Sequence, residues 1–331
     1  MNHRAYKAML VTESADGKFT RQIVQRSIDE LPQGDVLIHV KYSSLNYKDA
    51  LSAIGNRGVT RKYPHTPGVD AAGVVEESSV QDIRPGDEVI VTGYDLGMNT
   101  SGGFGEYIRV PADWVVKRPA SLSLRDSMIY GTAGFTAALS VYKLTAKVLP
   151  DQGEVLVTGA PGGVGSVAVS ILVKIGYQVV AVNGKVDARG YLMNLGAKGV
   201  LSVEEATDNS GKPLLKTLWS GAIDTVGGPI LSTALRSVNY GGTVTCCGNA
   251  ASPDLALTVY PFILRGVSLL GVDSVNCPRD LRLKVWDRLA NEWKLDHLDK
   301  ISTEIALHQL DERIELILQG KQTGRTVVSI S

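Results

Sequence analysis

The sequence predicts an α/β protein in two parts, a compact β-rich domain followed by a doubly wound parallel sheet. Three observations predict this. Short apolar runs split by glycine, proline and acidic residues fill the first third of the chain. Strand-like and helix-like segments then alternate through the middle. A glycine-dense turn, "GAPGGVG" at 159–165, joins the first strand of that alternation to its first helix.

The elements follow in order. "DVLIHVKYSSLNY" alternates as a strand, and "GVDAAGVVEE", "GDEVIVTGY" and "FGEYIRVP" are further short strands. Their close spacing suggests a barrel-like β domain. Helical periodicity begins near Leu124 with "LRDSMIYGTAGFTAALSVYKL", capped by Ser123. "EVLVTG", "QVVAVN", "KGVLS", "GAIDTVG", "GGTVTCCG" and "GVSLLGVDS" are the strands of the middle region, with helices at 164–175, "ARGYLMNLG" and "ILSTALRSV". Such alternation specifies a parallel sheet covered on both faces, with right-handed crossovers. The helix "DLRLKVWDRLANEWKL" precedes a return to short elements, "ISTEIAL", "LDERIELILQ" and "GRTVVSI". This end is expected to fold back on the N-terminal domain, giving 1–125 completed by 299–331, with 126–298 as the second domain.

Composition narrows the function. The 331 residues are 44% hydrophobic and 21% charged, an ordinary soluble balance. The formal net charge is zero, which argues against a nucleic-acid or membrane-surface partner held by bulk charge. "MNHRAYKAMLVTESADGK" lacks the pattern of a signal peptide, and no apolar run has the length of a membrane span. The three cysteines, Cys246, Cys247 and Cys277, form no CxxC pair and no Cys/His cluster. They read as thiols of a reducing compartment, so a cytoplasmic protein is expected.

In a strand–turn–helix setting the glycines have distinct uses. Gly159 permits the sharp turn, Gly162 and Gly163 let the backbone approach a pyrophosphate, and Gly165 lets the helix pack closely. Pro161 and Val164 complete the turn. The helix start offers free N–H groups to phosphate. A ligand-free βα turn is the alternative. At the end of the next strand, an acid would hold the adenosine ribose of NADH. Asn183, Gly184 and Lys185 stand there instead. Neutral Asn183 and cationic Lys185 favour NADPH, with Arg189 and Tyr191 placed to close the site. A merely solvated Lys185 is the alternative.

Further motifs carry a resemblance. "SSLNYKDAL", "PGVDAAGVV", "RPGDEVIVTG", "GGFGEYIRVP", "GTAGFTAAL", "VTGAPGGVGSVAV", "GAIDTVGG", "NYGGTVTCCG", "PFILRGVSLLGVDS" and "GRTVVSI" occur in that order over nearly the whole chain. The chain resembles the zinc-independent quinone oxidoreductase group of the medium-chain dehydrogenase/reductase superfamily. "SSLNYKDAL", "GAIDTVG" and "PFILRGVSLLGVDS" resemble its acryloyl-CoA reductase branch. The resemblance implies a GroES-like catalytic domain beside a Rossmann NADPH-binding domain, an active site in the cleft between them, and a homodimer. "SLLGVDSV" is apolar enough to pair across a two-fold axis.

Zinc members of that superfamily often carry a Gly-His-Glu segment where this chain has Pro67-Gly68-Val69-Asp70, and no cysteine precedes Cys246. No metal is therefore expected. Reduction of a C=C bond conjugated to a carbonyl remains open to such a site. The candidate catalytic residues are Tyr47, Asn46 and Asp49, at the end of "SSLNYKD". Tyr47 is expected first at the cofactor and second as a proton donor, against a packing role. Asn46 could donate to a carbonyl or cap a helix, and Asp49 could orient Lys48 or cap one. Thr132 and Thr136 could touch the nicotinamide or serve packing. By resemblance Asn249, Ile263 and Ser274 fall near the nicotinamide or ribose, although Ile263 also reads as core. Arg57, Arg61 and Lys62 could face a CoA phosphate, and Arg325 another anion; solvated loop cations are the alternative. The expected activity is NADPH-dependent reduction of acryloyl-CoA or a similar short enoyl thioester. A quinone reductase and a non-catalytic NADPH-binding sensor are the alternatives.

Overall fold

The computed structural model describes residues 4–185 and 187–330, so the first three residues of the N-terminal stretch read above lie outside it. In chain order the elements are strands β1 (Ala5–Glu13), β2 (Phe19–Ser27) and β3 (Val36–Leu45), helix α1 (Tyr47–Ala53), and strands β4 (Asp70–Ser78), β5 (Glu88–Thr92), β6 (Tyr107–Val110) and β7 (Val115–Lys117). Helix α2 (Leu124–Thr145) follows, then β8 (Val155–Val157), α3 (Gly163–Lys174), β9 (Val179–Asn183), α4 (Ala188–Asn194) and β10 (Gly199–Ser202). Next come β11 (Trp219–Asp224), α5 (Gly228–Ser237), β12 (Val238–Cys246), α6 (Tyr260–Arg265) and β13 (Ser268–Gly271). The chain ends with α7 (Arg279–Ala290), β14 (Ser302–Ala306), α8 (Leu310–Leu318) and β15 (Arg325–Ser329).

Two compact units result. The first comprises Met1–Thr132, Val275–Ala290 and His297–Ser331, and the second comprises Ala133–Ser274 with Asn291–Asp296. Helix α7 thus goes with the first unit, whereas the sequence boundaries placed it in the second. In the first unit a seven-stranded sheet runs β14-β15-β3-β4-β5-β7, with β6 also on β3, and β1 and β2 form a separate hairpin. The C-terminal strand β15 lies antiparallel to β3. One core gathers Val36, Ile38 and Val40 of β3, Val89 and Val91 of β5, Phe104, Leu310 and Val328. The alternation of β3 explains this, because every second side chain points to one face of a strand.

The second unit holds a six-stranded sheet in the order β10-β9-β8-β11-β12-β13. Every pairing in it is parallel. All three residues of β8 and all six of β11 are buried, as expected of central strands covered on both faces. The order reverses between β8 and β11, and a ligand crevice belongs beyond the carboxyl ends of strands at such a point. The α/β class and the doubly wound sheet are as the sequence predicted.

One element departs from its sequence reading. Ser123 does cap α2, its Oγ accepting from Asp126 N–H at 2.9 Å. The helix is broken, however, at Gly131, with φ 49° and ψ −155°. A Cβ there would lie 2.5 Å from both Asp70 Oδ2 and Ser44 Oγ. Helical periodicity runs straight across this point, so the pattern could not reveal the break.

Candidate functional site

The first unit contains a buried polar knot where β3, α1, β4, α2 and β15 meet. Asp70, the first residue of β4, is fully buried. It accepts from Ser44 Oγ at 2.5 Å and Asn46 Nδ2 at 2.7 Å. It also accepts from Thr132 Oγ1 at 2.6 Å and from Thr132 N–H at 2.9 Å. Arg325 Nη2 stands 3.9 Å from Asp70 Oδ2 and donates to Ser44 Oγ at 2.8 Å. The guanidinium also donates to Ile129 O, Leu45 O and Asn46 Oδ1. It is only 2% exposed and meets an internal anion, so the reading of Arg325 as a contact for an outside anion is corrected.

Asp49 lies beside this knot. Its Oδ2 accepts from Asn46 N–H at 2.8 Å, which caps α1, and its Oδ1 accepts from Val69 N–H at 2.8 Å and Gly68 N–H at 3.2 Å. Asn46 Nδ2 bridges the two carboxyls, reaching Asp49 at 3.3 Å. Burial, then the neighbouring Asp70 carboxylate, pushes the Asp49 carboxyl up to about 7. One guanidinium faces two carboxyls in a water-poor shell, so the Asp49 carboxyl holds a proton more readily than a free one. Arg325 is itself pulled down by burial, with the two carboxylates opposing that. Asp49 therefore caps and braces; its oxygens are taken by backbone and Asn46, not by Lys48.

Tyr47 starts α1, immediately after Asn46. It is 52% exposed, and its hydroxyl has no hydrogen bond among the described residues. The knot thus fixes the residue before it while leaving the phenol outside. Arg57 is committed elsewhere: Nη2 meets both Glu13 carboxylate oxygens at 2.6 Å, and the guanidinium lies over the Tyr63 ring. Arg61 and Lys62 are exposed and form no ion pair among the described residues.

The second unit presents the glycine turn. Gly159 adopts φ 59°, and a Cβ there would stand 2.2 Å from Thr225 Oγ1. A Cβ on Gly165 would meet Gly159 O at 2.3 Å, so this glycine lets α3 approach its own turn. No side chain caps α3 at Gly162, leaving the first N–H groups of the helix open beside Pro161, Gly163 and Val164. Ala160 N–H donates to Val182 O at 3.1 Å, which brings the turn against the end of β9. There Asn183 Nδ2 donates to Lys185 O at 2.7 Å, and Lys185 N–H donates to Asn183 Oδ1 at 2.8 Å. Asn183 therefore shapes the Gly184 loop through its own amide. Burial pulls the Lys185 ammonium down.

The Tyr191 hydroxyl is buried beside Ser166 of α3 without a well-formed hydrogen bond, and burial pushes it up to about 12. Open helix N–H groups, a turn whose close approaches fall on Gly159 and Gly165 and an orphaned hydroxyl together fit a dinucleotide phosphate site. Thr136 Oγ1 donates to Ser274 Oγ at 2.8 Å, so these two candidates meet. Asn249 is exposed beyond β12. Ile263 is 67% exposed on α6, which corrects its reading as core.

Sequence reasoning missed Asp70 and Ser44 as site residues, and Gly131 as their neighbour. The available signal was a lone acid opening an apolar strand in "GVDAAGVV", which must find partners when buried.

Comparison with known proteins agrees with this anatomy. Residues 32–120 match the alcohol dehydrogenase GroES-like domain, and residues 163–291 match the zinc-binding dehydrogenase family. The putative quinone oxidoreductase YhfP of Bacillus subtilis is 48% identical over 306 residues, 92% of this chain and 93% of that protein. The chain belongs to the medium-chain dehydrogenase/reductase family. The acrylyl-CoA reductase AcuI of Ruegeria pomeroyi is 42% identical, over 98% of this chain and 99% of that protein. The yhdH oxidoreductase of Salmonella enterica, solved with NADP, is 45% identical with a TM-score of 0.95, covering 98% of this chain and 100% of that one. YhfP has been solved with NAD, at a TM-score of 0.95, covering 98% of this chain and 99% of that one.

The family description includes zinc, and the donor set here does not fit it. Asp70 and Asp49 give their oxygens to hydrogen-bond donors, and the Arg325 guanidinium stands where a cation would neutralise them. Among the described residues no three of histidine, cysteine, aspartate and glutamate come together as metal ligands.

Proposed function

We propose that the chain reduces the C=C bond of acryloyl-CoA or a similar short enoyl thioester, as an NADPH-dependent oxidoreductase. The observation that carries this is the knot itself: an internally neutralised Asp70–Arg325 pair that holds Asn46 and Thr132 and leaves the Tyr47 phenol exposed with no hydrogen bond among the described residues. The likeness to acrylyl-CoA reductases and to an NADP-bound structure supports it.

NADPH, when bound, supplies a hydride for the β-carbon of the alkene. The chain's own residues do the rest. The turn at Gly159–Gly165 and the α3 N–H groups receive the pyrophosphate, while Lys185 and Tyr191 receive the 2′-phosphate. Tyr47 O–H donates a hydrogen bond toward the thioester carbonyl, stabilising negative charge as it develops on that oxygen. The α-carbon takes its proton from Tyr47 or from water, completing addition of H⁻ and H⁺ across the double bond. Thr136, Ser274 and Asn249 are read as lining the nicotinamide side. Arg61 and Lys62 are read as the cations that meet a CoA phosphate; Arg57 is not, because Glu13 neutralises it.

The quinone reductase reading stands second, on the likeness to YhfP. We also read the chain as a cytoplasmic homodimer. Its three cysteines form no disulfide, and no helix among the described residues is long and apolar enough to cross a membrane. The edge strand β13 is flanked by exposed Val259, Ile263 and Leu264 on and before α6. Light scattering at micromolar concentration tests the dimer, and a monomer would defeat it.

The deciding experiment follows NADPH oxidation with acryloyl-CoA and with a simple quinone in parallel. Turnover with the thioester that falls in Tyr47→Phe, with NADPH affinity retained, supports the first reading. Turnover with the quinone alone overturns it.

A further inference from the structure

Outside the residues named so far, the second unit holds one buried carboxylate with no ion pair among the described residues. Asp224 closes β11 and is fully buried. Its Oδ1 accepts from Thr158 Oγ1 at 2.7 Å. Its Oδ2 accepts from Gly227 N–H at 2.8 Å and from the Cys246 thiol at 3.8 Å. An unpaired buried carboxylate is tolerable only when its lone pairs are well used.

What it joins is informative. Thr158 is the residue before Gly159, at the end of β8. Its hydroxyl, besides donating to Asp224, accepts from Thr225 N–H at 3.0 Å. Thr225 Oγ1 donates back to Thr158 O at 2.9 Å. Cys247 N–H donates to Asp224 O at 3.0 Å, and Cys247 leads into Asn249. A Cβ on Gly248 would lie 2.1 Å from Thr225 O, so this loop also rests on the same point. The side chain of Asp224 therefore ties together the carboxyl ends of β8, β11 and β12. It does so at the reversal of strand order between β8 and β11, where a dinucleotide belongs.

We propose that Asp224 is a positioning residue for the dinucleotide: acting through Thr158 and Cys246, it sets the height of the Gly159–Gly165 turn against the Asn249 loop. It touches no phosphate itself. The proposal rests on the cofactor lying at that turn.

The test is direct NADPH titration by nucleotide fluorescence, with steady-state kinetics and melting temperature alongside. In Asp224→Asn the amide accepts from either Thr158 or Gly227 and turns an NH2 toward the other donor. Thr158→Val removes the hydroxyl link alone, and Thr158→Ser keeps it. The expected result is a rise of about tenfold in the NADPH Kd and KM for Asp224→Asn and Thr158→Val, with kcat within about threefold of wild type. Thr158→Ser should bind as wild type does, and the Asp224→Asn/Thr158→Val double variant should be no worse than either single one. Unchanged NADPH affinity in Asp224→Asn and Thr158→Val, with only a lower melting temperature, would overturn the proposal. If Asp224→Asn does not fold, the Thr158→Val and Thr158→Ser pair decides alone. Wild-type protein that binds no NADPH would overturn the cofactor reading itself, an outcome distinct from variants that bind normally.

Discussion

Replacing Gly131 with alanine should damage the first unit more than any comparable change on its surface. The residue has φ 49° and ψ −155°, a region that only glycine occupies readily. Holding alanine there costs about 1–3 kcal/mol. The new Cβ would also sit 2.5 Å from Asp70 Oδ2 and Ser44 Oγ, and 2.9 Å from Arg325 Nη2. These atoms are the centre of a buried charged network, so the methyl must push apart hydrogen bonds to ionised groups, at about 1.5–3 kcal/mol for each one lost. The combined destabilisation is about 3–6 kcal/mol, a large part of a domain's unfolding free energy. Thermal unfolding should shift down by on the order of 10 °C. Turnover should fall with it, because Thr132 follows directly and is held by Asp70. Differential scanning calorimetry and NADPH oxidation measure the two effects. A Gly131→Ala protein melting within about 2 °C of wild type would refute the close approach of α2 to the knot.

Other expectations concern the charges. Asp49 sits at about 7 when folded and near about 3.9 when unfolded, so the folded state binds its proton more tightly. Its contribution to stability is therefore fullest below about pH 4 and is lost as pH rises through about 7. Urea unfolding at pH 5 and pH 8 should show a larger loss in wild type than in Asp49→Asn, and equal losses would contradict the raised carboxyl. Lys185→Ala should reduce the preference for NADPH over NADH by about tenfold or more, read from the two Kd values; an unchanged ratio would remove Lys185 from the phosphate site. Arg61→Ala and Lys62→Ala should raise KM for acryloyl-CoA but not for acryloyl-pantetheine, which lacks the nucleotide phosphates. Arg57→Ala should instead leave both KM values alone and change stability by no more than about 1 kcal/mol, because its pair with Glu13 is solvent-screened.

Much of the site was legible in the sequence, but unevenly. The glycine turn was clear because its chemistry is local: each glycine serves a turn or close approach within a few residues. The position of the Asn183–Lys185 loop after its strand was legible for the same reason, although its internal Asn183 hydrogen bonds were not. Tyr47, Asn46 and Asp49 were found together, yet their roles separated only in three dimensions. Burial makes Asp49 a brace, and Tyr47 stands exposed beside it, which is what the proposed role for its phenol rests on. The loop cations looked equivalent until Glu13, far away in sequence, claimed Arg57.

Periodicity and turn chemistry were enough to identify the alternating strands and helices of the doubly wound sheet, because side-chain period and glycine conformation act over a few residues. They could not show which distant polar groups share one interior. Asn46 meets Asp70 across 24 residues and Arg325 across 279, and no local pattern encodes such pairings. The charge balance around Asp70, the break of α2 at Gly131 and the joining of three strand ends by Asp224 were decided by tertiary packing. Only there does a buried polar group find, or fail to find, the partners that its desolvation demands.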